Sequence, residues 1–85
     1  MKVKVFTNPF CPFCAGAKRS LTQKGIAFEE IDVSSNMQLR SRLSRENNNW
    51  SKVPMIFVGD VFIGGFSELQ QVATTGQLDL LLSHL

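Results

Sequence analysis

A strand, a helix and a second strand follow one another within the first 33 residues. That order limits the fold more than any other feature of the chain. Lys2 to Phe6 reads Lys, Val, Lys, Val, Phe, an alternation with β-branched residues that predicts a strand. Thr7 to Phe10 breaks the pattern. A helix is predicted from Pro12 to Lys24, because Pro12 suits a first helical position whose N–H has no partner in any case. Ala15, Ala17, Lys18 and Leu21 propagate the helix, and Gly25 stops it. Ile26 to Val33 is the second strand, with Phe28, Ile31 and Val33 directed to the core. Two strands joined by a helix pair in parallel, with a right-handed crossover.

The second half adds the remaining elements. Ser35 followed by Gln38 fits a capping box, opening a helix that runs to about Glu46 with Met37, Leu39 and Leu43 on its apolar side. Asn47-Asn48-Asn49 falls in the polar end of that helix and the loop after it. Pro54 precedes a strand from Met55 to Val58, and Gly59-Asp60 turns the chain into Val61-Phe62-Ile63 as a hairpin. Gly64-Gly65 ends that strand, Ser67 with Gln70 forms a second capping-box pattern, and a helix follows to about Thr74. Gly76 separates it from a last helix, Leu78 to about His84. The expected fold is α/β in the order β-α-β-α-β-β-α, a four-stranded mixed sheet with helices on both faces. Residues 1–85 are expected to form one domain, since 85 residues fall below the usual domain length of roughly 100–200. A hydrophobic content of 44% and seven phenylalanines exclude disorder.

Charge and hydropathy narrow the partners. Nine Lys/Arg against seven Asp/Glu give a net charge of +2, too mild for a nucleic-acid surface. Arg40, Arg42 and Arg45 are the nearest thing to a basic cluster and read as a solvated helix face. No apolar run approaches the ~20 residues of a membrane span, and the start MKVKVFTNPF lacks the apolar segment of a signal peptide. No nucleic acid and no membrane are expected as partners, and a cytoplasmic location is.

Both cysteines lie in Cys11-Pro12-Phe13-Cys14. A structural zinc site takes four ligands, and only His84 remains to join the pair, so no metal is expected. Two unrelated buried thiols are a second reading. A redox dithiol is the third, and position favours it: the pair follows a strand and opens a helix. At a helix N-terminus, free N–H groups and the macrodipole stabilise an anion, lowering a thiol from its free pKa of ~8.5. Cys11 is then the thiolate and nucleophile, and Cys14, one turn deeper, is placed to resolve.

Other segments carry paired readings. Lys18 and Arg19 add positive potential near the pair or simply face water. Asn8 donates to a ligand or satisfies a turn. Lys52-Val53-Pro54 offers free backbone groups at Val53 to an extended peptide, or is a plain strand start. Gly64-Gly65-Phe66-Ser67-Glu68 lets the backbone approach a ligand at a helix N-terminus, or is a capped hairpin exit.

Taken in order, these three segments make the chain resemble a dithiol glutaredoxin of the thioredoxin-like superfamily, from Lys2 to about Leu82. The resemblance implies a cis peptide before Pro54 and glutathione as co-substrate rather than a permanently bound cofactor. It implies that Cys11 attacks and Cys14 resolves. The implied glutathione contacts are Cys11, Phe13, Arg40, Lys52, Val53, Pro54, Gly65, Phe66 and Ser67. Val53 would pair with the cysteinyl part, and Gly65, Phe66 and Ser67 would hold the γ-glutamyl end. Phe13 stands where the family usually has tyrosine, Asn8 where it has lysine, and Lys52 where it has threonine. The implied partners are glutathione and disulfide-containing or glutathionylated proteins, met by a monomer. Two further readings are a glutathione-ligated [2Fe–2S] cluster carrier, which Pro12 disfavours, and an electron donor served by thioredoxin reductase. Because Lys52 is the cation that replaces the one lost at Asn8, Lys52→Ala is expected to weaken glutathione use more than Asn8→Ala. Comparable losses in a glutathione-coupled assay would contradict that.

Overall fold

The computed structural model describes residues 3–83; Lys2 in the expected first strand and His84 in the expected last helix lie outside them. The elements run β1 (Val3–Thr7), α1 (Pro12–Gln23), β2 (Glu29–Asp32), α2 (Met37–Glu46), β3 (Met55–Val58), β4 (Val61–Gly64), α3 (Phe66–Thr74) and α4 (Gln77–Ser83), so that two consecutive helices stand at the final α of the expected order. The sheet order is β2-β1-β3-β4. β1 and β2 pair in parallel, with Phe6 opposite Ile31, as the βαβ reading requires. β1 and β3 are antiparallel, with Phe6 opposite Met55, and β3 and β4 form the hairpin.

The period-2 alternation of a strand sorts the core into two layers. Val3 and Val5 of β1 and Ile56 and Val58 of β3 meet Ala17 and Leu21 of α1, Leu69 of α3 and Leu78 of α4. Phe6 and Met55 point the other way, onto Val33, just after β2, and Leu43 of α2, with Phe57, Phe62 and Trp50 around them. Helices therefore cover both faces. Gly16 permits the close approach of α1 to α3: a Cβ there would lie 3.1 Å from the Phe66 ring.

Several boundaries differ from the sequence reading. β2 starts at Glu29 rather than Ile26, because Ile26 N–H closes the end of α1 by bonding to the Leu21 carbonyl at 2.9 Å. The cap of α2 is Asn36, not Ser35: Asn36 Oδ1 accepts the Leu39 N–H at 3.1 Å. An amide side chain does this as well as a hydroxyl, so the Ser35–Gln38 spacing misplaces the start. Met37 is then in the first turn and 64% exposed, while Leu39 and Leu43 turn inward. At α3 the cap is Gly65 rather than Ser67, and the Glu68 carboxylate accepts the Gly65 N–H at 2.9 Å. This is half a capping box, since glycine has no side chain to reciprocate.

Lys18 does not simply face water. Its Nζ lies 2.9 Å from Glu30 Oε2, which also accepts the Thr7 hydroxyl at 2.9 Å, so α1 is tied to both strands of the parallel pair. Hydrogen bonding from Lys18, then from Thr7, holds the Glu30 carboxyl below its ordinary 4.5, against the opposing effect of burial. A depressed carboxylate stabilises the fold above its unfolded pKa and loses that contribution as pH falls through its folded pKa. Both side chains are more than a third exposed to water, so screening keeps the pair within about 0–1 kcal/mol. Glu30→Gln is expected to lower stability by that amount at neutral pH, with the difference closing in acid, as pH falls below 4.5 and through the depressed folded pKa. Chemical denaturation across that range checks it, and a gap that persists in acid would assign the effect to packing.

Candidate functional site

Cys11 closes the N-terminus of α1 with its own side chain. Its backbone is extended (φ −107°, ψ 106°), and its sulfur accepts the Cys14 N–H at 3.1 Å. Pro12 follows at the first helical position, and the first helical bond runs from Ala15 N–H to the Cys11 carbonyl at 3.1 Å. A sulfur cap satisfies one of the four free N–H groups of a helix start and places the sulfur where the dipole favours negative charge. Cys11 and Cys14 are paired as a disulfide with Cα atoms 5.2 Å apart. The pair is asymmetric: Cys14 is only 2% exposed, beneath the first turn, whereas Cys11 is half-buried at the surface.

On one side of the pair lies a groove of about 150 Å³, bounded by Phe13, Trp50, Lys52, Val53, Pro54 and the start of α3 from Gly65 to Glu68. The Val53–Pro54 peptide is cis, as the resemblance implies. Cys11 Sγ lies 3.9 Å from the Val53 carbonyl oxygen, bridging residues 42 apart in sequence. Val53 precedes the first β3 pairing, Met55 with Phe6, so its N–H and C=O stand outside the ladder. At the other wall, the N–H groups of Phe66, Ser67 and Glu68 have no intrahelical acceptor by helix geometry. Gly64 holds the turn into this wall at φ +121°, and a Cβ there would meet Glu68 Cγ at 2.8 Å. A residue other than glycine would strain the backbone and displace the carboxylate that fixes Gly65.

The structure thus brings Phe13, Lys52, Val53, Pro54, Gly65, Phe66 and Ser67 around one groove beside Cys11. Arg40 lies outside it. Its Nη2 reaches the Ser51 carbonyl at 3.4 Å, and its Nη1 donates to the Asn8 side-chain oxygen at 3.2 Å in the amide orientation that also bonds the Thr7 carbonyl. Asn8 is therefore neither a plain turn residue nor a free donor: it links Arg40 to the loop before Cys11.

Two groove residues have a part that the sequence analysis does not give them, Trp50 and Glu68. Trp50 lines the floor, packs edge-on to Phe62 at 5.4 Å between ring centroids, and buries an Nε1 that has no acceptor among the described residues. Its signal was its being the one tryptophan, two residues before Lys52. Glu68 belongs to the Gly64–Glu68 segment, and its N3 position after Gly65 is the sign of its capping role. Phe10, next to Cys11, is fully exposed and sits at φ +58°. That left-handed conformation costs a side-chain-bearing residue about 1–3 kcal/mol.

Comparison with known proteins agrees with this geometry. The glutaredoxin family model matches residues 3–63. A glutaredoxin from Pseudomonas aeruginosa is 37% identical over 81 residues, covering 95% of both chains. Glutaredoxin 3 of Escherichia coli is 34% identical over 80 residues, covering 94% of this chain and 95% of that one. The solution structure of a Brucella melitensis glutaredoxin superimposes with a TM-score of 0.83 at 39% identity, covering 96% of this chain and 88% of that one. With a capped cysteine pair at the head of α1 and these relatives along nearly its whole length, the chain belongs to the glutaredoxin family, and it is a thiol–disulfide oxidoreductase.

Proposed function

We propose that Cys11 is the attacking thiolate and Cys14 the resolving thiol, and that the groove between Val53 and Ser67 binds glutathione. The observation that carries this reading is the Cys14 N–H aimed at Cys11 Sγ from 3.1 Å. In the dithiol form the same N–H and the start of α1 stabilise negative charge on that sulfur and on no other. Burial of Cys14 shields it from direct attack until Cys11 is engaged.

With a glutathionylated substrate, Cys11 thiolate attacks the glutathione sulfur, forming Cys11–S–S–glutathione as the substrate thiolate leaves. A second glutathione, as thiolate, attacks the bound glutathione sulfur; glutathione disulfide leaves and the Cys11 thiolate returns. With a protein disulfide, Cys11 forms a mixed disulfide with the protein. Cys14 loses its proton and attacks the Cys11 sulfur, the protein departs as a dithiol, and two glutathiones reduce the Cys11–Cys14 disulfide. The Val53 backbone, outside the ladder, pairs with the cysteinyl part of glutathione in strand fashion. The free N–H groups of Phe66 and Ser67, beside Gly65, take the γ-glutamyl carboxylate. Lys52 faces the glycyl carboxylate, while Arg40 adds charge behind Ser51. The Phe13 ring walls the groove, and Pro54 fixes its floor. All these groups come from one chain, so a monomer suffices, and the turnover suits a compartment with a reduced glutathione pool such as the cytoplasm.

Cys14→Ser is expected to retain reduction of glutathionylated substrates and to lose reduction of intraprotein disulfides, while Cys11→Ser loses both. Loss of both activities in Cys14→Ser would give Cys14 a role before resolution. Alkylation of the reduced protein with iodoacetamide is expected to show Cys11 reacting with a midpoint well below the free-thiol value of ~8.5. A midpoint at or above that value would remove the helix N-terminus from the account.

A further inference from the structure

We propose that the cleft on the opposite side of the dithiol from the glutathione groove binds the protein half of a mixed disulfide, selecting target cysteines flanked by an apolar and a basic residue. This deepens the reading above and rests on it.

The cleft measures about 480 Å³ and is bounded by Phe10, Cys11, Cys14, Lys18, Glu30 and Asp32, among others. Both members of the cysteine pair stand on its wall, and neither Lys52 nor any residue of α3 does. The dithiol therefore has two separate concave faces. A glutathione disulfide of a protein also has two halves, and they need different recognition.

Phe10 supplies the apolar component. Single exposed apolar residues are ordinary on a protein surface. Here the fully exposed Phe10 and the 64% exposed Phe13 sit on either side of Cys11 in sequence. Phe10 is held out by a left-handed backbone at φ +58°, which a phenylalanine adopts only against its steric preference. Strain of this kind is maintained where the surrounding structure over-determines it, and it clusters at functional sites.

Charge supplies the second component. Within the cleft, Glu30 is answered by Lys18 at 2.9 Å. Asp32 is not answered by a cation among the described residues; its Oδ1 accepts the Ser34 N–H at 2.8 Å. Hydrogen bonds from Ser34 hold Asp32 below its ordinary pKa, so it is anionic at neutral pH. The opposite groove carries Lys52, with Arg40 behind it, and its one carboxylate, Glu68, is engaged by the Gly65 N–H. Glutathione, with two carboxylates and one ammonium, is drawn to the groove. The protein segment is left facing an apolar ring and a carboxylate. When Cys11 attacks the glutathione sulfur, the protein thiolate leaves and takes a proton from water, so the segment in the cleft departs as a free thiol.

The test compares three glutathionylated substrates of the same enzyme: a peptide with Leu before and Lys after the modified cysteine, a peptide with Gly and Glu there, and free cysteine–glutathione disulfide. Wild type is expected to prefer the Leu/Lys peptide over the Gly/Glu peptide by about tenfold in kcat/KM. Phe10→Asn tolerates the left-handed backbone, so the loop is undisturbed. It is expected to lose most of the preference, and Asp32→Asn roughly threefold of it, with both variants within twofold of wild type on cysteine–glutathione disulfide. If Phe10→Asn fails to fold, Asp32→Asn decides alone, read on the Leu/Lys peptide and its Leu/Glu counterpart. Wild type active on cysteine–glutathione disulfide but indifferent between the peptides would overturn this inference and leave the catalytic reading intact. So would variants that lose activity equally on all three substrates. Inactivity of wild type on cysteine–glutathione disulfide would overturn the catalytic reading, and this one with it.

Discussion

The site depends on one hydrogen bond, from the Cys14 N–H to the Cys11 sulfur at 3.1 Å. It caps α1, and it does so with the sulfur proposed as the nucleophile. A serine or aspartate at that position would cap the helix equally well. Sulfur makes the cap reactive, because the groups that satisfy a helix start are also those that stabilise a thiolate. Pro12 completes the device at no cost in hydrogen bonding, since the N–H it lacks is one the helix leaves unpaired. The cap needs α1 to be held firmly, and Lys18 reaching Glu30 across to β2 and Gly16 seated against Phe66 of α3 provide that.

Around that cap the sheet acts as a positioning frame. β1 lies at the centre, between β2 and β3, so the loop leaving Thr7 has the end of the parallel pair on one side and the Val53–Pro54 approach to β3 on the other. The two sides differ in charge: Lys52 with Arg40 behind it toward α2 and β3, and on β2 the carboxylates of Glu30, which Lys18 pairs, and Asp32. A chain with a net charge of +2 thus has a polarity across Cys11, which composition averages away.

Much of the fold was legible because its signals are local. Alternation in Val3–Phe6, Pro12 before a helix-forming run, Gly25 after it, and Gly59-Asp60 between two apolar runs each fix the chain within a few residues of where they occur. The misreadings were local too, each a competition between neighbouring caps. Asn36 displaced Ser35, and Gly65 with Glu68 displaced Ser67 with Gln70, because any short acceptor or a glycine can end the extended segment and the sequence does not rank them. Most of the groove was also legible, since its two walls come from short motifs in which Val53 and Phe66 stand beside the residues that expose them. Trp50 and the Arg40–Asn8 link were not, because each gains its role from a partner far along the chain.

The sequence by itself determined the order of strands and helices, the pairing of two cysteines one helical turn apart, and the free backbone groups flanking them. These follow from dihedral preference and periodicity, which act over a few residues. Only the tertiary structure decided what faces the sulfur. Val53 approaches Cys11 from 42 residues away, and Asp32 and Glu30 come round behind it. Those meetings depend on strand order and register, where a one-residue slip would send every side chain to the opposite face. Register is set by burial of the whole apolar pattern on both sides of the sheet at once, so it belongs to the folded chain rather than to any segment of it.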